Sequence, residues 1–194
     1  AISRPLGDYC EQQIYMGVKS GLTEAFVVNE QVRARLLSRN RRSEEIIKPF
    51  LNGRDIRRYI IEPKDQFLLY TYHGVKIGRY PAVEGHLRAY KSRLEKRATR
   101  QAWYELQQPQ FNFSESMAGA KIIFPDIATS PRFALDEVGY FSSNTTYFIA
   151  RRDLFLLGLL NSRFAALYFK TVCAGLESRA ETYLRFFGQY LEGF

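Results

Sequence analysis

Apolar residues in the first part of the chain recur in short runs separated by turn-forming residues, which is typical of short strands with helices between them. Strands are predicted at residues 14–16, 25–28, 60–61 and 67–70. The glycines Gly17 and Gly21 indicate a turn between the first two strands. Asn29 can cap a helix over residues 30–37, and Ser43, which precedes two glutamates, predicts the start of another helix.

Two longer stretches repeat their apolar residues at the spacing of an α-helix. Pro81 suits the first turn of one helix. Its residues predicted to face the core are Leu87, Tyr90, Leu94 and Ala98. Asp153 can cap a second, strongly apolar helix that continues to about Cys173 and ends near Gly175. An amphipathic segment follows over residues 179–191.

Between these two helices the apolar spacing changes to that of β-strands. Strands are predicted at residues 121–125, 133–135 and 146–150, with a turn at residues 136–139. Strands and helices alternate without a strict strand–helix–strand rhythm, which favours an α+β fold over a parallel doubly wound sheet. We therefore predict a single α+β domain with a twisted, mixed or mainly antiparallel sheet and flanking helices.

Composition places the chain among globular domains with an anionic partner. The 194 residues are 46% hydrophobic and 25% charged, and the formal net charge is +8. The two cysteines, Cys10 and Cys173, lie far apart and lack the spacing of a zinc site, so they are predicted to be reduced thiols of a cytoplasmic protein. The most apolar run, residues 154–160, is too short to span a bilayer, so no membrane partner is expected.

Two linked motifs near the N-terminus carry the strongest functional signal. They are the segments Gly17–Val28 and Lys48–Tyr59. Both resemble blocks of the TaqI-like C-terminal specificity domain, the target recognition domain of DNA adenine methyltransferases and of fused type II restriction-modification enzymes. Further segments are similar to later blocks of that family, in the same order: Ile77–Pro81, Trp103–Leu106, Lys121–Pro125, Asn144–Ile149 and Leu159–Ser162.

The resemblance implies a reader of double-stranded DNA without an active site of its own. In this family another part of the polypeptide binds S-adenosylmethionine and holds the flipped adenine with an Asn-Pro-Pro-aromatic motif, and the present sequence contains no Asn-Pro-Pro. Residues 1–13 are accordingly predicted to be a linker from an N-terminal methyltransferase domain, and residues 14–194 the DNA target recognition domain. S-adenosylmethionine is expected in that other part, with Mg²⁺ in addition if the parent protein also cleaves DNA.

The start of the sequence bears on the same expectation. The chain begins at Ala1 rather than Met, and Ile2-Ser3-Arg4-Pro5 has the character of a linker. We expect a piece of a longer, prokaryotic and cytoplasmic protein.

The residues predicted to bind DNA are mostly cations in clusters. Lysine and arginine neutralise phosphates, and arginine also makes paired bonds to guanine in the major groove. The predicted set is Lys19, Arg39, Arg41, Arg42, Arg54, Arg57, Tyr72, His73, Lys76, Arg88, Lys91 and Arg97. Most of them have a plain structural alternative. For Lys19 it is a tight glycine turn, for the arginine-rich loop and the helix after Pro81 a solvated surface, and for the block 52–58 an architectural role. For Tyr70 or Tyr72 it is core packing, and for His73 an exposed surface position without a base contact.

Two other functions compete with DNA recognition. A Mg²⁺-dependent nuclease would need carboxylates and a lysine in fixed geometry. The candidate sets are Asp55 with Glu62 and Lys64, and Asp126 with Asp136 and Glu137, where Gly139 stands in the position of the lysine. Pro63 disturbs the strand geometry that the first set requires. A protein-interaction module would instead dock the apolar helix after Asp153 on a partner.

Overall fold

The computed structural model describes residues 4–177 and 181–194. The chain divides into two compact units, and each is described by itself. Unit 1 consists of residues 1–17, 51–62 and 113–194, and unit 2 of residues 18–50 and 63–112. Both units combine helices with antiparallel strands, which confirms the predicted α+β class with mainly antiparallel sheets.

Unit 1 is built on two antiparallel sheets. The larger has the strand order Ile14–Met16, Thr146–Ile149, Lys121–Pro125 and Ala134–Asp136. The smaller has the order Gly175–Glu177, Thr182–Arg185 and Ile127–Ala128. In the larger sheet Ile123 lies opposite Phe148 and Ile122 opposite Leu135, so the apolar run of the inner strand meets apolar neighbours. The strands predicted for this sheet are confirmed to within one residue.

The remaining elements of unit 1 are short. Its helices are Leu6–Tyr9, Ser114–Ala118, Leu154–Leu160, Arg163–Val172 and Gly188–Leu191, with a 3₁₀ turn at Gly53–Asp55 and a short strand at Phe141–Ser142. Leu6 and Cys10 lie in the core of this unit together with Phe133 and Phe169, so part of the segment predicted as a linker is packed. Whether a catalytic part precedes that segment stays a prediction.

The prediction of one continuous helix from Asp153 to Cys173 is wrong, because the chain forms two helices that are separated at Asn161 and Ser162. The buried side chain of Asn161 accepts from the Phe133 N–H at 3.1 Å and donates to the Phe133 carbonyl at 2.8 Å. Ser162 then caps the second helix by accepting from Ala165 N at 3.1 Å. These polar bonds compensate for the backbone hydrogen bonds that the helix loses at this break.

Two other predictions for unit 1 are corrected. Residues 60–61 form no strand: Ile60 is exposed, and Ile61 makes an isolated bridge with Ile56. The predicted amphipathic segment contains the strand Thr182–Arg185 and the helix Gly188–Leu191, and residues 179 and 180 lie outside the described residues.

Unit 2 has an antiparallel sheet with helices packed on it. The strand order is Val27–Asn29, Gln66–Leu69 and Ile47–Leu51, the last residue of which belongs to unit 1. Its helices are Thr23–Phe26, Glu30–Arg39, Pro81–Arg88 and Lys91–Leu94, with 3₁₀ turns at Arg41–Ile46 and Ile77–Arg79 and another at Phe111–Phe113, which extends one residue into unit 1. Asn29 caps the second helix by accepting from Val32 N at 3.0 Å, as predicted.

Several boundaries in unit 2 differ from the prediction, among them the strand predicted at 67–70, which is Gln66–Leu69, and the helix predicted at 30–37, which continues to Arg39. Ala25 and Phe26 end a short helix, so the strand predicted at 25–28 begins at Val27. Ser43 lies inside a 3₁₀ turn, where its N–H donates to the Asn40 carbonyl at 3.0 Å. The helix predicted from Pro81 stops at Arg88 and resumes for one turn; Leu87 and Leu94 are buried, Tyr90 is half-buried, and Ala98 is exposed beyond the helical end.

No helix in the described ranges is both long and apolar enough to cross a membrane.

Candidate DNA interface

The net positive charge of the chain is concentrated in one unit. Unit 2 contains 16 lysines and arginines against 8 aspartates and glutamates, whereas unit 1 contains 12 of each sign. The whole net charge of +8 therefore resides in unit 2. Of the residues predicted to bind DNA, only Arg54 and Arg57 belong to unit 1. A charge excess of this size attracts an anionic polymer over a distance.

Residues 39–42, which we call the arginine loop, connect the longest helix of unit 2 to its first 3₁₀ turn. Arg41 and Arg42 each form an ion pair with the glutamate three residues later, at N–O distances of 3.4 and 3.5 Å. Both pairs are exposed and contribute about 0–1 kcal/mol each, so phosphates can replace the glutamates at little cost. Arg39 is exposed and has no ion pair in the described part of the chain. The arginine loop thus presents three available guanidinium groups.

Residues 70–76, which we call the tyrosine loop, follow the middle strand of the unit 2 sheet. Tyr70 is the buried tyrosine of this loop, and its hydroxyl donates to the Pro109 carbonyl at 3.0 Å. The ring of Tyr72 lies 4.8 Å from the ring of Phe111, measured between centroids. Phe111 is exposed and was missed by the sequence reasoning, although an aromatic residue soon after Pro109 is a visible signal. Such exposed rings are suited to stacking against bases or packing on sugars.

The tip of the tyrosine loop is held by polar bonds to the segment before Pro109. A ring nitrogen of His73 lies 3.0 Å from the Leu106 carbonyl oxygen. The N–H of Gly74, whose φ of +84° suits glycine, donates to the Glu105 carboxylate at 2.7 Å. Lys76 is exposed on the far side of this turn. The loop therefore has a defined conformation, with the His73 and Lys76 side chains exposed and that of Thr71 buried.

Residues 81–100, which we call the basic segment, contain more cations than anions, but several cations are paired. The ion pairs are Arg88 with Glu84 at 2.6 Å, Lys91 with Glu95 at 3.6 Å, and Arg93 with Glu24 at 2.6 Å. Glu24 is distant in sequence, so only the fold brings it here. Lys96 and Arg100 are exposed and form no ion pair among the described residues. The basic segment therefore has fewer available cations than the sequence count indicates, but Lys96 and Arg100 remain available.

Arg97 differs from the other cations of the basic segment because its guanidinium binds backbone carbonyls of its own unit. The acceptors are Leu94 at 2.9 Å, Ser20 at 3.0 Å, Glu105 at 2.8 Å and Trp103 at 2.8 Å. Partial burial lowers the pKa of Arg97. The observed role of this residue is to tie three segments together, and its contact with DNA stays a prediction.

The glycines around Lys19 have packing roles. A Cβ on Gly17 would lie 2.2 Å from the Ser143 carbonyl oxygen, and Gly21 has a φ of +79°. Lys19 and Gln108 exchange both backbone hydrogen bonds, each 2.9 Å long. This arrangement favours the tight-turn interpretation of the segment over a phosphate-binding loop. A phosphate contact by the Lys19 side chain stays a prediction.

The block around Arg54 in unit 1 is organised by a reciprocal cap. The N–H of Asn52 donates to the buried carboxylate of Asp55 at 2.8 Å. A Cβ on Gly53 would lie 2.6 Å from the Thr145 carbonyl oxygen, so glycine is required by the close approach of two backbones. These contacts support the architectural interpretation of the motif.

Arg54 and Arg57 themselves are accessible to different degrees. Arg57 pairs with Glu62 at 3.3 Å, and its guanidinium also donates to the Arg54 carbonyl. Arg54 is exposed and lines a cleft of about 420 Å³ together with Arg132 and Asp126. Burial raises the pKa of the Asp126 carboxyl. Within unit 1, Arg54 is thus the better placed of the two for an anionic contact.

The carboxylates proposed for a nuclease have other partners. Asp136 forms a buried ion pair with Lys121 and accepts from the N–H groups of Val138 at 2.9 Å, Gly139 at 3.0 Å and Tyr140 at 2.9 Å. This confirms the predicted turn and leaves the carboxylate fully engaged. Glu137 pairs with Arg152 at 2.7 Å. Over residues 4–177 and 181–194 no group of three potential ligands is placed to hold a metal ion.

One solved structure with a similar fold is that of the Type IIL restriction-modification enzyme MmeI in complex with DNA. The TM-score is 0.65 at 14% sequence identity, and the match covers 99% of this chain and 25% of that enzyme's chain. The chain thus spans about a quarter of the enzyme it matches, and at this identity the likeness shows the fold alone. A search of curated proteins finds no significant match.

The family assignment rests on the sequence. The model of the family described as the TaqI-like C-terminal specificity domain matches residues 48–194 and begins at the second of the two motifs described above. That match extends over well more than half of the chain and confirms the resemblance, so this chain belongs to the TaqI-like C-terminal specificity domain family.

Proposed function

We propose that the chain recognises a specific sequence in double-stranded DNA as the specificity domain of a restriction-modification protein, and that unit 2 provides the main DNA-binding surface. The observation that carries this proposal is the location of the whole net charge of +8 in unit 2. Membership of a specificity-domain family supports it, as does the similar fold in a restriction-modification enzyme solved with DNA.

The cations and the aromatic loop have different tasks in this proposal. Lys76, Arg88, Lys91 and the arginine loop contact phosphates and set the register of the duplex, since phosphate contacts position a protein without reading sequence. The tyrosine loop, together with one arginine of the arginine loop, reads base edges in the major groove. Arg97 holds the segments that carry these groups in place.

The reaction served by this recognition is N6-adenine methylation, carried out by an N-terminal methyltransferase domain of the same polypeptide that binds S-adenosylmethionine. The chain described here performs no catalysis in this proposal. The target adenine leaves the base stack before its amino group can react, because a paired base is inaccessible to an active site. The parent protein acts in the prokaryotic cytoplasm, where its DNA substrate lies.

A charge-reversal experiment tests the role of unit 2. The triple variant Arg39→Glu, Arg41→Glu and Arg42→Glu is compared with the matched unit 1 variant Arg152→Glu, Arg163→Glu and Lys170→Glu. Both change the net charge equally, and all six side chains are exposed. Fluorescence anisotropy with a pool of random duplexes measures affinity from low to high salt.

The proposal predicts how much the salt dependence of DNA binding should differ between the two variants. The slope of log affinity against log salt is negative, and each phosphate that the protein no longer neutralises reduces its magnitude by about 0.9. The slope of the unit 2 variant should therefore be smaller in magnitude by about two to three, whereas the unit 1 variant should keep the slope of the unmodified chain. Equal decreases in both variants would show that only the net charge matters, and would contradict a DNA surface in unit 2.

A further inference from the structure

Two consecutive helices of unit 1, Leu154–Leu160 and Arg163–Val172, expose large apolar side chains. Phe155 is 80% exposed, Phe164 67% and Leu167 65%. Leu154 and Leu159 are exposed as well, and we call these five residues the apolar face. Soluble domains seldom leave a contiguous group of large apolar residues uncovered unless it binds something.

The apolar face borders a groove of about 460 Å³. Its walls include Leu6, Tyr9, Leu156 and Tyr168, and Arg4 is the charged residue among the described lining groups. Leu154 and Leu167 lie on the same helices, outside the groove lining, and are exposed as well. A small ligand would occupy the groove and leave those residues exposed, which favours a macromolecular surface as the occupant.

The groove is preformed by polar bonds and ring packing. The Tyr9 hydroxyl donates to Asp153 at 2.6 Å, and the guanidinium of Arg151 donates to the Tyr9 carbonyl at 2.7 Å. Asp153 also caps the first of the two helices by accepting from Leu156 N at 2.9 Å. The ring of Tyr168 lies 5.1 Å from the ring of Phe194. A rigid apolar surface loses little entropy on binding, so it is suited to a stable interface.

We propose that the apolar face is the surface on which unit 1 docks the catalytic part of the same polypeptide, an inference that rests on the proposed function. Unit 1 carries 12 cations and 12 anions, so electrostatics gives it no general attraction to DNA. The match covers about a quarter of the similar enzyme's chain, so most of that enzyme lies outside the matched part.

The position of the groove selects this occupant over a second copy of the chain. The matching family is described as a C-terminal domain, so in this proposal the catalytic part precedes it in the polypeptide, and Arg4, near the start of the described residues, lines the groove. A partner on a short tether has an effective concentration of about millimolar. A free second copy at lower concentration competes poorly with it.

The test uses the full-length parent polypeptide with a specific protease site inserted ahead of Arg4. After cleavage, size-exclusion chromatography and calorimetry measure how tightly the two halves remain associated. The test variants are Phe155→Asp and Phe164→Asp, and Phe155→Ser and Phe164→Ser repeat the change with a neutral side chain. The control is Val138→Asp, because Val138 is 67% exposed in unit 1 and lies outside the groove lining.

We expect the halves of the unmodified protein and of Val138→Asp to co-elute. A hot-spot substitution costs at least about 2 kcal/mol, so each aspartate variant should weaken the association of the halves about 30-fold or more. Thermal unfolding of the uncleaved proteins checks that the exposed substitutions leave the domain folded.

Two outcomes would overturn the docking proposal. One is equal association of the halves in the aspartate variants and in Val138→Asp. The other is a dimer of the 194-residue chain that Phe155→Asp dissociates, since the apolar face would then bind a second copy. DNA binding is measured separately on each uncleaved variant. Separation of the halves as expected, with no DNA binding in any protein, would support docking and contradict the proposed function.

Discussion

At the scale of single residues, burial decides which charged groups serve the fold. Lys121 and Asp136 form an ion pair in which both side chains are fully buried. Lys121 also donates to the Met117 carbonyl, and Asp136 binds the turn that follows it. A buried pair of this kind contributes little when intact, but an unpaired buried charge is very costly.

This contrast gives a prediction for unfolding. Lys121→Met should lower the free energy of unfolding by about 3–5 kcal/mol, because it leaves the Asp136 carboxylate buried without its counter-ion. Arg152→Met is the matched control, since it removes the exposed partner of the adjacent Glu137 and should cost about 0–1 kcal/mol. Urea denaturation measures both. Similar decreases in the two variants would contradict the expected difference between a buried and an exposed ion pair.

The cysteines give a prediction for pH dependence. Both thiols are free and buried, and burial raises the pKa of Cys173 to about 11 from an ordinary value of 9.0. Because the thiolate is the reactive form, alkylation of native Cys173 by iodoacetamide at pH 8 should be about 100-fold slower than in the unfolded chain. The rate should rise about tenfold per pH unit up to that pKa. Mass spectrometry follows the labelling, and equal native and denatured rates would contradict it.

At the scale of elements, most boundaries follow local apolar spacing and differ where a distant group intervenes. The strands at 14–16 and 121–125 were predicted correctly because the first is an apolar run and the second contains one, at residues 122–125. The apolar stretch after Asp153 has helical spacing throughout, yet it is divided at Asn161 by bonds to Phe133, which lies 28 residues earlier. Spacing within a stretch contains no information about such a partner.

Arg97 provides the prediction at this scale. Arg97→Met should lower the free energy of unfolding by about 2–4 kcal/mol, because several partly buried carbonyls lose a charged donor. Its effect on the salt slope of DNA binding should be small at temperatures where the variant is folded. Arg39→Met is the comparison. It should change the free energy of unfolding by no more than about 0.5 kcal/mol and reduce the magnitude of the salt slope by about 0.9. The reverse pattern would assign the DNA contact to Arg97.

At the scale of the whole molecule, charge and apolar surface are divided between the units. The net charge of +8 lies in unit 2, while the apolar face lies in unit 1, whose charges balance. This division is consistent with one unit that binds DNA and another that binds protein. Each unit is assembled from separate stretches of sequence, so neither property is visible as a block along the chain.

Phosphate binding and base reading can be separated by comparing a cognate duplex with a random one. Arg88→Gln and Lys91→Gln should weaken binding to both duplexes by the same factor, because phosphates carry no sequence information. Tyr72→Ala and His73→Ala should weaken binding to the cognate duplex only, by about 1–3 kcal/mol for each base that the variant no longer reads. Equal effects of the tyrosine-loop variants on both duplexes would rule out a role in base reading.

The candidate site was predictable as a set of residue types and only partly as a set of roles. The clustering of Arg39, Arg41 and Arg42 is apparent in the sequence, and the structure keeps all three exposed. The exposed ring of Phe111 beside Tyr72 was not found, because the sequence shows an aromatic residue after Pro109 but does not show which distant ring it contacts. Which of these groups contact DNA stays a prediction.

The sequence by itself determined the α+β class, the main strands and the family, because apolar spacing and motif order are properties of neighbouring residues. Only the tertiary structure decided which cations remain available, since Glu24, which pairs with Arg93, and the Ser20 carbonyl bound by Arg97 come from distant positions. It also decided that the charge belongs to one unit and the apolar face to the other. These properties depend on long-range contacts, and the order of residues along the chain does not show which partner a side chain will meet.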